Sequence, residues 1–175
     1  MATTVGAPAA LELARQRYLE AHARELATTL RVLRAYPPDR LDLRPHPRAK
    51  DARELAWVFA LEGWFGVKVY NGEYRLEPGG PPPPPPAAWD ELLAAVERAQ
   101  NEFAELVRGT PAAELERTVP MAVAPRTLGE VRRLDWAWTL LYDQIHHRGQ
   151  FSVYLRMAGG KVPSIYGPSA DEPWT

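Results

Sequence analysis

The sequence of 175 residues contains no cysteine, which excludes disulfide bonds, a thiolate nucleophile and a cysteine-ligated zinc site. Any metal that the protein binds must therefore be held by histidine, aspartate, glutamate or water. Basic tracts are also absent and the formal net charge is -1, which argues against nucleic acid as a partner. No apolar run reaches the length of about 18 residues that a membrane span needs.

The sequence also lacks a recognisable export signal. The N-terminus, Met1 to Pro8, is rich in small residues and has neither the charged start nor the apolar run of a signal peptide. We therefore expect a cytoplasmic protein. The length, with 46% hydrophobic and 25% charged residues, predicts one globular domain over residues 1–175.

The sequence does contain long segments with apolar residues at helical spacing. They predict four helices, at about residues 8–35, 51–70, 88–108 and 128–157. No alternating run is long enough to predict a strand, and no internal repeat occurs. The predicted fold class is therefore all-α.

Local signals mark the ends of the second and fourth predicted helices. Asp51 and Glu54 form a capping pair at the start of the second helix, and Asn71-Gly72 predicts its end. The pattern Thr127-x-x-Glu130 predicts a capping box at the start of the fourth helix. The glycines at 159–160 predict where that helix ends.

The second and third predicted helices are joined by a long connection that holds six consecutive prolines, Pro81 to Pro86. Six residues of polyproline II reach roughly 19 Å, and the flanking residues extend this toward the length of about 30 Å of a 20-residue helix. The chain can thus return along the bundle and leave helices two and three parallel. This predicts an up-down-down-up four-helix bundle. The prolines are interpreted as a stiff spacer, with a ligand for a partner module as the alternative.

Two residues of the fourth predicted helix are candidate metal ligands. Asp143 and His147 are four residues apart, so they lie on one face of the helix and can share a divalent metal. The same side also carries Trp136, Leu140, Gln150 and Tyr154. This mixture of polar and aromatic groups is typical of a site in a bundle core. A hydrogen-bonded pair without metal is the alternative interpretation of the two residues.

The opposite side of the same helix is apolar and carries Leu134, Trp138, Leu141 and Ile145. Two apolar sides on one helix indicate that one side packs on the other helices and the other on a partner. We therefore predict a homodimer. The alternative is a helix buried on both sides within a single chain.

The end of this helix and the tail that follows resemble the DinB family of four-helix bundles. The resemblance is carried by HHRGQ-x-x-x-Y-L-R and by GGKVPSIYGPSADE, and it is specific over residues 127–172. It is looser over residues 40–70, where RPHP and ELAW occur. The family, which is distinct from the DNA polymerase of that name, includes thiol-dependent transferases, metal-dependent hydrolases and stress-induced proteins. The resemblance thus implies the same bundle topology and a divalent metal.

The resemblance also implies where the metal ligands lie. In the family, one histidine early in the second helix and two ligands in the fourth hold the metal, which is nickel, zinc or iron. The fourth-helix pair maps onto Asp143 and His147, and the second-helix histidine maps onto Val58, which cannot bind a metal. The site is therefore predicted to be degenerate, with Glu62 or His22 as its third ligand.

Three further residues are predicted around this site. Gln150 is expected to orient His147, Tyr154 to line a pocket, and Arg148 to have a structural role. The predicted function is metal-dependent chemistry of the hydrolase or thiol-transferase type on a small thiol or hydrolysable substrate. The alternative is a metal-free homodimeric binding or scaffold protein, so the sequence leaves open whether the chain is an enzyme.

Overall fold

The computed structural model describes residues 7–77 and 80–174, and it is mostly helical. More than half of the chain lies in four α-helices: α1 Ala7–Arg34, α2 Ala52–Tyr70, α3 Trp89–Gly109 and α4 Arg133–Met157. The predicted limits agree with these to within one residue, except at the start of α4. In the described part of the chain, no helix carries an apolar stretch that would reach across a bilayer. The segment Met1–Gly6, which entered the prediction of location, lies outside the described residues.

The predicted start and end of α2 and the predicted end of α4 are confirmed in detail. The Asp51 carboxylate accepts a hydrogen bond from the backbone N–H of Glu54 at 2.8 Å, and the Glu54 carboxylate accepts one from that of Asp51 at 2.9 Å. Gly72 and Gly159 follow the two helices with φ of 76° and 83°, a left-handed conformation that is costly for residues with a Cβ atom. Both features depend on residues that are neighbours in the sequence, so the sequence alone could predict them.

A two-stranded antiparallel sheet precedes α4, so the prediction of a fourth helix from residue 128 is wrong. Strand β1 covers Thr118–Ala124 and strand β2 covers Thr127–Arg132. The predicted capping box does not exist, because Thr127 and Glu130 both lie in β2. Instead, the Glu130 carboxylate accepts a hydrogen bond from the Thr118 hydroxyl on the neighbouring strand at 2.6 Å. The fold is therefore mostly helical with a small sheet.

The hairpin escaped prediction because its turn lacks the usual residues. The residues between the strands are Pro125 and Arg126, and Arg126 takes the left-handed conformation with φ of 57°. Hairpin turns that need such a conformation normally use glycine or asparagine. The pairing of Val119, which is buried, with Val131 fixes the register against the core.

Helices α2 and α3 run in the same direction. The Gln100 side chain in α3 donates a hydrogen bond to the backbone oxygen of Phe59 at 2.6 Å. Further along both helices, the Tyr70 hydroxyl donates to Thr110, just after α3, at 3.1 Å. Because contact positions advance together along the two helices, the pair is parallel.

The connection between these parallel helices returns along α2. The indole N–H of Trp57 donates a hydrogen bond to the backbone oxygen of Pro83 at 2.8 Å. One turn earlier in α2, Arg53 donates to the backbone oxygen of Pro86 at 2.9 Å. The proline run thus lies against α2 and carries the chain to the start of α3, as predicted.

Helix α4 runs parallel to α1 and antiparallel to α2. The ring of Tyr18 in α1 meets Trp138 edge-on at 5.5 Å between centroids, and the ring of Tyr36, just after α1, has its centroid 5.1 Å from that of Phe151, further along α4. On α2, the backbone oxygen of Gly66 accepts a hydrogen bond at 3.3 Å from the indole of Trp136, which is in the first turn of α4. One face of α4 therefore lies along α2.

Two glycines allow α2 to approach its neighbours closely. A Cβ atom on Gly63 would lie 2.7 Å from the backbone of Ala99, and one on Gly66 would lie 2.5 Å from the Leu140 side chain. Real Cβ atoms do not come so near, so a larger residue at position 63 would push α2 and α3 apart, and one at position 66 would displace the Leu140 side chain. Neither glycine stands out in the sequence, although Gly66 lies where α2 packs on α4, the two helices that carry the candidate metal ligands.

The apolar stripe of α4 that predicted a dimer is mostly used inside the chain. Leu134 is 8% exposed and Leu141 is 1% exposed, and both pack in the core with the half-buried Trp138 and Ile145. The alternative, a helix buried on both sides, describes the stripe better. A homodimer stays a prediction, but this stripe no longer supports it.

Candidate metal centre

Helices α2 and α4 bring three potential ligands together. Nε2 of His147 lies 3.2 Å from Oε1 of Glu62 and 3.7 Å from Oδ1 of Asp143. One ligand atom from each residue lies within 4.8 Å of the other two. Of the two candidates for a third ligand, Glu62 is the one that reaches the predicted pair.

The carboxylate of Glu62 is buried without a compensating donor. Its residue is 7% exposed, and neither oxygen has a hydrogen-bond partner among the described residues. Burial raises the pKa of Glu62 to about 9, and the nearby negative charge of Asp143 adds to the effect. Without a metal, Glu62 therefore carries a proton at neutral pH.

Gln150 orients the imidazole of His147. The side-chain oxygen of Gln150 lies 3.2 Å from Nδ1 of His147, and its amide nitrogen lies 2.9 Å from Nε2 of His146. An amide oxygen can only accept, so Nδ1 of His147 carries the proton and Nε2 presents a lone pair to the carboxylates. The ring of Phe59 meets the same imidazole edge-on at 6.4 Å. The contact predicted for Gln150 is therefore present.

His22, the other candidate for a third ligand, belongs to a separate polar network in the core. Its Nε2 lies 3.3 Å from the side-chain oxygen of Gln100, which also accepts a hydrogen bond from Gln144 at 2.7 Å. Burial lowers the pKa of His22, while the hydrogen bond to Gln100 acts in the opposite direction. His22 is thus a neutral, hydrogen-bonded core residue, and it is not part of the three-residue cluster.

The remaining predicted site residues lie around the cluster rather than in it. Val58, one turn before Glu62, is half-buried and lines a surface groove. The Tyr154 hydroxyl donates to the backbone oxygen of Lys50 at 2.9 Å, two turns beyond His147. The Arg148 side chain points toward α1 rather than toward the cluster.

Arg148 is enclosed by acceptors from two other parts of the chain. Its guanidinium pairs with the Glu25 carboxylate at 2.7 Å and donates to the Tyr166 hydroxyl at 2.6 Å. That hydroxyl in turn donates to Glu25 at 2.7 Å. The network joins α1, α4 and the tail after α4.

Residues 12–174 match the model of the DinB family. A DinB-like protein from Bacillus cereus ATCC 10987, 21% identical, superposes with a TM-score of 0.68 over 85% of this chain and 95% of that one. The DinB-like protein YjoA from Bacillus subtilis, 14% identical, superposes with a TM-score of 0.66 over 91% of this chain and 99% of that one. At these identities the two structures establish a common fold.

A curated relative matches over a short stretch. The uncharacterized protein YrdA of Bacillus subtilis (strain 168) is 54% identical over 33 residues, which are 19% of this chain. The match spans only 20% of the length of YrdA.

Proposed function

Since the chain belongs to the DinB family, we propose that it is a divalent-metal-binding protein whose ligands are Glu62, Asp143 and His147. One observation carries the proposal. Ligand atoms of the three residues face one another, and the two carboxylate oxygens of Glu62, which is the most deeply buried of the three, have no hydrogen-bond donor among the described residues. Buried acceptors without a partner are rare in folded proteins. A cation among these atoms would satisfy all three.

The distances suit a small divalent cation. Two ligand atoms at about 2.1 Å from a tetrahedrally coordinated metal are roughly 3.4 Å apart. The separations of 3.2 and 3.7 Å from Nε2 of His147 to the two carboxylates lie on either side of that value. A small rotation of the exposed Asp143 side chain would bring its oxygen to the distance that a shared metal requires. A proton on Nε2 of His147 could occupy the same space instead of a metal, and a metal titration distinguishes these alternatives.

Two carboxylates and one imidazole form a donor set that zinc, nickel and iron accept. Three protein ligands leave a coordination position for water or substrate, the arrangement of catalytic rather than structural metal sites. A bound divalent ion would act as a Lewis acid and lower the pKa of a bound water or thiol, as hydrolase or thiol-transferase chemistry needs. The chain's own contribution is to hold His147 through Gln150 and to leave the Asp143 side open to solvent.

The proposed centre compensates for the missing histidine of the family pattern. Val58 offers no donor atom, and Glu62 lies one turn later on α2. A carboxylate in place of an imidazole keeps three protein ligands and makes the centre more negative. The metal-free scaffold, which was the alternative, lacks a specific observation in its favour, because it leaves the buried Glu62 without a role.

We also infer that the four helices form one up-down-down-up bundle, with the centre between α2 and α4. The parallel pairs α1–α4 and α2–α3 and the proline crossover support this arrangement. In such a bundle, functional sites are built from side chains of facing helices.

The test is a calorimetric titration of the metal-stripped full chain with zinc and with nickel. We expect about one metal per chain, and a loss of affinity of more than about 100-fold in His147→Ala, because even residues that only orient a ligand change affinity 10–100-fold. His46→Ala is the matched control, since His46 is exposed in a loop, where it accepts a hydrogen bond from the backbone N–H of Arg48, and it is not part of the cluster. Equal binding by the two variants, or no binding by the unmodified chain, would contradict the proposal.

A further inference from the structure

A surface groove of about 410 Å³ lies between α2 and the proline crossover. Its floor is apolar and includes Trp57, Val58 and Leu61, and the prolines at 82–85 form one wall. Arg44, Arg48 and Lys50 lie at the end nearest the start of α2. We propose that this groove binds an organic anion that has an apolar body.

The apolar part of the groove is rigid before any ligand arrives. Trp57 is 5% exposed, and its indole N–H is bound to the backbone oxygen of Pro83. Arg53 holds the next turn of the proline segment through the backbone oxygen of Pro86. Polyproline II loses little conformational freedom on binding, so a ligand meets a preformed wall. The apolar body of the ligand would lie between this wall and the side chains of α2.

The charged end of the groove has two cationic side chains that are not engaged in ion pairs with the described residues. Arg44 is already engaged, at 3.1 Å with Asp51 and 3.0 Å with Glu54. Arg48 and Lys50 are exposed, and neither forms an ion pair with any carboxylate of the described residues. A carboxylate or sulfonate placed at this end would accept charge-assisted hydrogen bonds from both side chains. Charge complementarity therefore favours an anionic ligand over a neutral one of the same shape.

The groove adjoins the proposed metal centre. Val58 lines the groove and precedes Glu62 by one helical turn, so the two sites lie on adjacent parts of the same helix face. An organic anion held here would place its other end toward the metal, and the groove would then bind the non-reacting part of the substrate. That role as a substrate site rests on the proposed function, whereas binding in the groove does not.

The experiment uses a pair of fluorescent probes that differ in one charge. 8-Anilinonaphthalene-1-sulfonate has an apolar body and a sulfonate, and N-phenyl-1-naphthylamine has the same body without it. We expect the metal-free full chain to bind one sulfonate probe, more weakly as salt is raised, and to bind the neutral probe less tightly. Arg48→Gln with Lys50→Gln should weaken sulfonate binding roughly tenfold or more and leave the neutral probe almost unchanged.

The control removes the same charge from other surfaces. Arg24→Gln with Arg98→Gln alters exposed positions of α1 and α3, and it should leave both affinities unchanged. Circular dichroism of each variant shows that the fold is retained, and if the double variant unfolds, each single variant and the salt dependence of the unmodified chain serve instead. Equal affinity for the two probes, or unaltered sulfonate binding when the cations are removed, would overturn the proposal.

The outcomes also distinguish this proposal from the metal centre. If the chain binds the sulfonate probe at this groove but binds neither zinc nor nickel, the anion-binding groove is supported and the metal centre is refuted. If it binds zinc but shows no charge-dependent probe binding, the metal centre is supported and the groove is refuted.

Discussion

Two buried ionisable side chains on facing helices, Arg148 in α4 and Glu62 in α2, have opposite surroundings. Arg148 is 1% exposed, and its guanidinium has the Glu25 carboxylate at 2.7 Å and the Tyr166 hydroxyl at 2.6 Å. Glu62 is 7% exposed, and neither of its carboxyl oxygens has a hydrogen-bond partner among the described residues. The Arg148 guanidinium thus has an opposite charge beside it, whereas the Glu62 carboxyl group lies beside a second carboxylate and an imidazole.

The difference separates a structural role from a functional one. Removing an ion from water costs several kcal/mol, and a fold offsets that cost only with well-placed partners. Arg148 receives them from α1 and the tail, which it joins to α4. Glu62 receives none from the described chain, so the free energy of folding alone does not account for a carboxyl group at this position. A ligand from solution does account for it.

The largest expected effect is on stability when Arg148 is replaced. Arg148→Met removes the cation of a buried pair and leaves the Glu25 carboxylate with the Tyr166 hydroxyl but without an opposite charge, so we expect a loss of about 3–5 kcal/mol in the free energy of unfolding. Arg156→Met is the matched control on the same helix, because Arg156 pairs with Asp171 at the surface and such pairs contribute roughly 0–1 kcal/mol. Denaturation in urea measures both. Similar losses in the two variants would remove the distinction drawn for Arg148.

The next prediction concerns how the stability of the metal-free protein depends on pH. The folded-state pKa of Glu62 is about 9, above its ordinary value of 4.5, so folding favours the protonated form. The stability that this proton confers is complete below pH 4.5 and is lost as the pH rises toward 9. We expect the free energy of unfolding to fall by several kcal/mol across that interval, at up to about 1.4 kcal/mol for each pH unit.

Glu62→Gln, which mimics the protonated form, should abolish this decline and match or exceed the unmodified chain in stability at pH 8 without metal. It should also lose metal binding, so stability and affinity move in opposite directions. Glu102→Gln, at an exposed position of α3, should keep the decline. The test is to measure the free energy of unfolding as a function of pH for the unmodified chain and the two variants. Parallel curves for the unmodified chain and Glu62→Gln would show that Glu62 does not titrate as described.

The smallest expected effect is on metal affinity when Gln150, which contacts the ligand His147, is replaced. Gln150→Ala removes the acceptor that holds Nδ1 of His147, so metal affinity should fall roughly 10–100-fold, with little change in metal-free stability. Gln150→Glu keeps an acceptor at the same place and should retain most of the affinity. Calorimetry on both variants tests this, and equal losses would mean that Gln150 acts through packing rather than through its oxygen.

Much of this architecture could be predicted because it depends on short stretches of chain. The helix limits follow from apolar spacing, the capping box from Asp51 and Glu54, and the parallel α2–α3 pair from the reach of the proline run. The hairpin could not be predicted, because a left-handed arginine replaces the usual turn glycine. Its strands also need the core beneath them, since an isolated two-stranded hairpin is only marginally stable.

The sequence by itself determined that Asp143 and His147 share one face of a helix, since their spacing fixes this wherever the helix lies. Only the tertiary structure decided that Glu62, and not His22, completes the cluster. That choice depends on how far each helix is rotated and shifted against α4, which contacts such as that of Gly66 in α2 with Leu140 in α4 control. Such contacts join residues that are remote along the chain, so no local pattern encodes them.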